Sequence, residues 1–148
     1  MYIRLLMTRF FYNIIIALSL LGALRTPAMA VELDQIVQVV LKKGWRKESG
    51  DHIAALQITL APGWKTYWRQ PGDTGIPPRF DFSGSENLTI LDVIYPAPKI
   101  TWQGNYRSFV YYENVIFPIL IRPEVTETAT LRGKVDIGVC KEICIPVS

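Results

Sequence analysis

Hydrophobic and polar residues alternate with a period of two in several stretches of this chain, and almost no stretch has the 3.6-residue period of a helix. The clearest alternation covers residues 52–60 and follows a polar turn at residues 48–51. It places four apolar residues on one face of a predicted strand, namely Ala54, Leu56, Ile58 and Leu60. An earlier run puts Val37, Val39 and Leu41 together, so the two strands are expected to form a hairpin.

Three further runs, at residues 88–95, 115–121 and 130–139, also predict strands. Pro118 has no backbone N–H to donate, so the second of these strands is expected at a sheet edge or with a bulge. In the third run, the alternation places Cys140 on the polar face of the strand.

Two long connections, at residues 61–85 and 95–112, separate these strands and are rich in aromatic residues, proline and glycine. Connections of this length inside a domain are usually functional or pack over the core. Short strands with turn-rich spacing favour an all-β, immunoglobulin-like antiparallel β-sandwich. Only four residues follow Cys144, so we expect the last strand of the sandwich to be missing and the sequence to be a partial product.

Residues 1–30 have the pattern of a secretory signal peptide. Arg4 and Arg9 precede an apolar run at residues 10–24, and Ala28-Met29-Ala30 forms a small-x-small cleavage site. The run is shorter than the ~20 residues that a membrane-spanning helix needs. We therefore expect an exported protein whose folded domain is residues 31–148.

The charge of the chain belongs to this leader. Removing residues 1–30 leaves 13 basic and 13 acidic residues, so the folded domain is formally neutral. A nucleic-acid partner requires a basic surface, and membrane binding through basic clusters requires the same. The composition therefore supports neither partner.

Cys140 and Cys144 are the only cysteines, and three residues separate them. This spacing allows the two sulfurs to approach bonding distance, and an exported protein meets an oxidising compartment in which such a pair forms a disulfide. A disulfide that opens and closes by thiol exchange is the interpretation the residues favour. Two alternatives stay open: a passive disulfide, whose short ring would add only about 2 kcal/mol of stability, and a metal site, although the single His52 gives at most three of the four ligands of zinc.

The aromatic residues of the long connections are the second candidate feature. Trp64 and Phe80 are expected to point inward, whereas Tyr67 and Trp68 could cap either the core or a site. Trp102, between glycine- and proline-containing stretches, is a candidate lid over a reactive pair. His52, at the start of a strand, is expected to be a surface residue.

In its cysteine pair and its aromatic connections, the chain resembles the N-terminal periplasmic domain of DsbD-type thiol:disulfide interchange proteins. The matching segments cover most of residues 31–146, and their combination is more specific than the cysteine pair alone. They are residues 61–69 (APGWKTYWR), 71–73 (PGD), 75–81 (GIPPRFD), 83–85 (SGS) and 139–146 (VCKEICIP).

The resemblance implies an immunoglobulin-like domain that takes electrons from a thioredoxin-like or membrane-embedded reductase and passes them to oxidised periplasmic proteins, without a prosthetic cofactor. By the same resemblance, Cys144 forms the mixed disulfide with the partner and Cys140 resolves it. Trp102 corresponds to an aromatic cap, and Tyr67 to a tyrosine packed beside the cysteines. The cysteine spacing is shorter here than in the best-known members, and this sequence contains neither a transmembrane electron-transfer domain nor a thioredoxin-like domain.

The sequence thus gives two functional hypotheses. The first is a periplasmic thiol-disulfide relay domain, a component of a protein-disulfide reductase that contacts the membrane only through its partner. The second is a noncatalytic periplasmic binding module with a structural disulfide, in which the aromatic connections hold a peptide or glycan.

Overall fold

A computed structural model describes residues 32–124 and 128–148 of the chain. The signal peptide predicted at residues 1–30 lies outside these residues. One helical turn, α1 (Leu33–Ile36), precedes ten strands. The strands are β1 (Val37–Arg46), β2 (His52–Leu60), β3 (Lys65–Gly72), β4 (Arg79–Asp81), β5 (Leu88–Val93), β6 (Lys99–Gln103), β7 (Tyr106–Tyr112), β8 (Asn114–Pro123), β9 (Lys134–Cys140) and β10 (Cys144–Val147).

These strands form two antiparallel sheets, which confirms the predicted all-β sandwich of the immunoglobulin-like class. One sheet has the order β1-β2-β8-β5, and the other has the order β10-β9-β3-β7-β6, with β4 also paired to β9. No helix among the described residues is long and apolar enough to cross a membrane.

The core lies between the sheets and is centred on Phe117, which is fully buried in β8. The rings of Phe80, Tyr95 and Tyr111 surround it, with centroid distances of 5.3, 5.3 and 5.5 Å. The partners come from different strands and connections, and offset or edge-to-face aromatic pairs add to the burial of their apolar surface. One residue of β8 therefore ties several strands together.

Strand β2 has the predicted alternation, and all four of its expected inward residues are buried. Strand β1 places Val37, Val39 and Leu41 opposite core residues of β2, as the pattern predicts. Only Val37 is buried, however, whereas Val39 and Leu41 are 38% and 40% exposed. The reason is that β1 is an edge strand and carries these side chains to the margin of the core.

For Pro118, the predicted alternative of an edge strand is wrong, because β8 lies between β2 and β5. The other alternative, a bulge, has a counterpart nearby, since the register of β5 on β8 shifts between Ile90 and Asp92, opposite Ile121 and Leu120. The last paired residues of β5 and β8 are Val93 and Ile119, and the carbonyl of Pro118 accepts a hydrogen bond from the N–H of Ile94 just beyond that pair. The N and C=O of one strand residue point to the same side, so the missing donor faces the end of β5 and removes no bond to β2.

The two long connections are also not loops throughout. Residues 61–85 contain β3 and β4, and residues 95–112 contain β6 and β7. The alternation in β3 is interrupted after Tyr67. Tyr67 lies opposite Val110 and Gly72 lies opposite Ser108, so an advance of five residues along β3 corresponds to only two residues along β7. The residues after the cysteines form β10, and the expectation of a missing last strand stays a prediction.

Because Phe117 contacts three rings, we expect Phe117→Ala to lower the free energy of unfolding by about 3–5 kcal/mol. Urea denaturation followed by tryptophan fluorescence measures this change. Ile116→Ala is the control, since Ile116 lies next to Phe117 in β8 and is 46% exposed; its loss should stay below about 1 kcal/mol. Equal losses in the two variants would contradict the central position of Phe117.

Candidate functional site

Cys140 ends β9 and Cys144 begins β10, and the two residues lie directly opposite each other in the hairpin. Their sulfurs form a disulfide with an S–S distance of 2.04 Å and a Cα–Cα distance of 4.1 Å. The turn between them is closed by a hydrogen bond of 3.1 Å from the N–H of Lys141 to the carbonyl of Ile143. The three-residue spacing therefore corresponds to a short hairpin loop that joins two adjacent strands.

The two cysteines differ in their surroundings. Cys140 is 2% exposed and packs with Tyr67 and Val110, whereas Cys144 is exposed. Ile143, beside Cys144 in the turn, is 70% exposed. Another protein can thus approach the pair from the side of Cys144.

The backbone of Cys144 also faces outward. A Cα–Cα distance of 4.1 Å is typical of a non-hydrogen-bonded antiparallel pair, in which the N–H and C=O groups of both residues point away from each other. Those of Cys140 point toward β3, where it pairs with Lys65. Those of Cys144 point to the edge of the sheet, and Pro146, two residues later, has the same orientation but no N–H.

Tyr67 reaches the disulfide from β3. Its hydroxyl lies 3.8 Å from the sulfur of Cys144, and the residue is 2% exposed. Burial, and to a lesser extent the neighbouring Tyr112, raises the pKa of Tyr67. Its hydroxyl therefore stays protonated at neutral pH and can donate to a sulfur. The structure places Tyr67 where the resemblance puts the tyrosine beside the cysteines, and its role as a cap stays a prediction.

Residues 73–78, in the second half of the long connection at residues 61–85, cover Tyr67. We call residues 73–78 the strap. At its start, the N–H of Asp73 donates to the carbonyl of Arg107 (2.8 Å), and the N–H of Arg107 donates to the carboxylate of Asp73 (2.7 Å). The hydroxyl of Thr74 lies 2.9 Å from that of Ser108, which is buried. These contacts attach the strap to β7.

From β7, the strap crosses the outer face of the sheet toward β9. Gly75 lies against the ring of Tyr67, and Ile76 lies against Gly138 of β9. Gly138 and Cys140 share the outer face of β9 because side chains alternate along a strand. The strap therefore shields the face that carries the disulfide. Its sequence signals are the density of glycine and proline at residues 71–78 and the PGD and GIPPRFD segments that carry the family resemblance.

Trp68 and Trp102 belong to the other face of this sheet. Trp68 follows Tyr67 and packs against the main core. Trp102 lies opposite Arg107 of β7, and Tyr67 lies opposite Val110 of the same strand. Arg107 and Val110 are three residues apart, so their side chains, and with them Trp102 and Tyr67, lie on opposite faces of the sheet. Trp102 is 63% exposed, and the guanidinium of Arg107 lies 6.0 Å from its ring centroid. Gating of the disulfide by Trp68 or Trp102 stays a prediction. The position of both residues on the face opposite the disulfide does not favour it.

Lysines are the cations nearest the pair along the chain and across the sheet. Lys65 lies opposite Cys140 in the register, and Lys141 follows Cys140 directly. The side chain of Lys141 extends over Gly63, where an added Cβ would lie 3.2 Å from its Cε atom. Positive charge favours a thiolate, and the exposed Glu142 opposes this effect.

His52 lies far from the cysteines, at the start of β2 in the other sheet, and contacts the carbonyl of Lys43. It is half-buried rather than fully on the surface. Within residues 32–124 and 128–148, no group of three or more histidine, cysteine or acidic side chains is arranged to hold a metal ion.

Comparison with known proteins identifies relatives of this fold and site. The family model described as "Thiol:disulfide interchange protein DsbD, N-terminal" matches residues 33–148. The solved structure of the N-terminal periplasmic domain of ScsB from Proteus mirabilis is similar, with a TM-score of 0.60 and 29% sequence identity. The match covers 80% of this chain and 46% of that one, so this chain spans less than half of the ScsB domain. Among curated proteins, no relative matches significantly.

The difference in burial predicts unequal reactivity once the disulfide is reduced. With a limiting amount of iodoacetamide, Cys144 should be alkylated at least about tenfold faster than Cys140, because a thiol buried among apolar groups ionises less readily. Peptide mass spectrometry measures the two rates. In denaturant the rates should become similar, and equal rates in the folded protein would contradict the asymmetry.

Proposed function

The chain belongs to the family of N-terminal domains of the thiol:disulfide interchange protein DsbD, and from this premise we propose that it relays electrons in the periplasm through Cys140 and Cys144. The single observation that carries the proposal is the pairing of an exposed Cys144 with a buried Cys140 in one disulfide. Exchange requires one sulfur that a partner can reach and a second that resolves the intermediate.

Reduction of the domain begins with a thiolate of the electron donor. This thiolate attacks the sulfur of Cys144, a mixed disulfide forms, and Cys140 leaves as a thiolate. The second thiolate of the donor then attacks the donor sulfur in the mixed disulfide, and Cys144 leaves as a thiolate. The donor dithiol is oxidised to a disulfide, and two electrons have passed to the pair.

Delivery to a client also runs through a mixed disulfide at Cys144, this time with a sulfur of the client. The thiolate of Cys144 attacks a disulfide of the oxidised client, and one client sulfur leaves as a thiolate. Cys140 then attacks the sulfur of Cys144, so the original disulfide re-forms and the second client thiol is released. The sulfurs of the pair carry the electrons in both steps, from the donor to the pair and from the pair to the client, and no prosthetic cofactor enters this scheme.

The partners follow from the chemistry. The donor is a dithiol protein, for which a thioredoxin-like or membrane-embedded reductase domain fits, and the clients are oxidised periplasmic proteins. We propose export to the periplasm because the sequence has a signal peptide pattern and the ScsB domain is periplasmic. The membrane would be contacted only through the reductase partner.

A noncatalytic binding module is the second candidate. Two large apolar residues that share one face of β6 are at least 60% exposed, Ile100 and Trp102. Such a group of exposed side chains can hold a ligand. In that case the disulfide is structural, and replacing both cysteines by serine would leave ligand binding intact while a relay would lose all exchange.

The relay predicts that the two cysteines fail differently when one is changed. We expect Cys140→Ser to accumulate a mixed disulfide with a bacterial thioredoxin that keeps only its nucleophilic cysteine, after Cys144 has been activated as its thionitrobenzoate disulfide. Cys144→Ser, treated in the same way, should react at least about tenfold more slowly because Cys140 is buried. Thionitrobenzoate release at 412 nm measures both rates, and similar rates would argue against Cys144 as the entry point.

Equilibrium with a glutathione redox buffer separates a relay from a passive disulfide. We expect the wild-type pair to have a reduction potential above about −300 mV, since structural disulfides generally lie below that value. Quantifying the thiols at each buffer ratio gives the potential. A lower value would favour the structural role.

A further inference from the structure

The strap is the part of this site that the relay chemistry has not yet used. We propose that the strap is a clamp that fixes the hydroxyl of Tyr67 beside the sulfur of Cys144, and that Gly75 is the positioning residue in this clamp. The inference rests on the proposed function, since it assigns a role to the surroundings of the same disulfide.

The strap is attached on both sides of Tyr67. On the β7 side, it is held by the paired backbone and carboxylate bonds of Asp73 and by the hydroxyl contact of Thr74 with Ser108. On the β9 side, Ile76 packs on Gly138, where an added Cβ would come within 2.6 Å of the Cβ of Ile76. A segment fixed at both ends can press on what lies beneath its middle.

Gly75 is the residue at that middle position. Its φ of +117° lies in a region that other residues rarely adopt. A Cβ at Gly75 would lie 2.2, 2.4 and 2.6 Å from three ring atoms of Tyr67, namely Cε1, Cδ1 and Cζ. Only glycine therefore lets the strap contact the ring. The hydroxyl is bonded directly to the rigid ring, so any displacement of the ring also moves the hydroxyl. The enclosure of Tyr67 leaves the ring little room to compensate.

The hydroxyl matters most when the disulfide is open. Reduction converts the sulfur of Cys144 to a thiol or thiolate, and a hydrogen bond donated by Tyr67 stabilises the thiolate, which is the reactive form. The proton stays on the tyrosine oxygen throughout, because burial keeps the pKa of Tyr67 above its usual range. The hydrogen bond thus increases the thiolate population of Cys144 and transfers no proton.

The test measures the alkylation rate of Cys144 in the reduced full chain as a function of pH, with the modified site assigned by mass spectrometry. In Gly75→Ala, loss of a hydrogen bond to a charged group should lower the thiolate fraction of Cys144 about tenfold. The remaining thiolate is more nucleophilic, so the observed rate constant below the thiol pKa should fall about threefold. Tyr67→Phe should give a similar fall. The double variant should fall no further than Tyr67→Phe alone, because both changes remove the same interaction.

Gly50→Ala is the matched control for backbone strain. Gly50 also has a positive φ, +89°, and no atom lies within 4 Å of an added Cβ. In Gly50→Ala, the rate of Cys144 alkylation should depend on pH as it does in the wild type. Ser108→Ala is the second clamp variant, since it removes the hydroxyl contact with Thr74 without adding an atom; it should slow alkylation in the same direction even if Gly75→Ala does not fold.

The outcomes separate this inference from the proposed function. A mixed disulfide that forms between Cys140→Ser and the monothiol thioredoxin, together with an unchanged pH dependence of Cys144 alkylation in Gly75→Ala and Ser108→Ala, would overturn the clamp and leave the relay standing. A fall in Gly75→Ala that persists in full on the Tyr67→Phe background would also overturn it. A wild-type pair that does not exchange at all would refute the relay itself.

Discussion

The geometry of the disulfide depends on strand β9, which is paired along both of its edges. Strand β3 pairs with one edge at Cys140, and β10 pairs with the other edge along residues 137–140. Strand β4 pairs with the first half of β9, at residues 134–136. The inward residues Ile137 and Val139 are 1% and 0% exposed, so the core fixes the phase of the strand. A shift of one residue would exchange the two faces. The position of Cys140 on the outer face is therefore a consequence of hydrophobic packing on the inner face.

The surroundings of the pair divide the chemistry between its two sulfurs. Cys140 is held in the rigid sheet beneath apolar side chains, where a thiolate is disfavoured. Cys144 lies one turn away at the edge strand, with a hydroxyl beside it and solvent around it. The same short hairpin thus holds one exposed sulfur and one buried sulfur.

The sequence predicted the parts of the fold where alternation is regular. Strand β2 was predicted with its bounds and its buried face. The alternation in β9 gave the correct phase for Cys140, but the prediction of a polar face is wrong at that residue, because Tyr67 and Val110 pack on it and leave it 2% exposed. The aromatic connections were misread, because β3 carries an interruption after Tyr67 that removes the period of two. Pro118 was misread because its missing donor faces the end of β5, which depends on a neighbour distant in the chain.

The candidate site was predictable to a similar extent. The spacing of the cysteines is a local property, and a hairpin turn satisfies it. The strap is a different case, because its meaning arises only when β3, β7 and β9 lie side by side and bring Tyr67, Ser108 and Gly138 under one segment. Glycine and proline at residues 71–78 indicate an unusual backbone, but no local pattern predicts that the strap covers the ring of Tyr67.

Pro146 limits what can be added to this edge of the sheet. A neighbouring chain that lies alongside β10 can form a pair of main-chain bonds with Cys144, but at the next outward position it meets a residue that cannot donate. The main-chain template that this edge offers to a neighbouring chain is therefore only about one residue long and is centred on Cys144. Copies of the domain are correspondingly poor templates for one another here, so the exposed edge is protected from open-ended self-association.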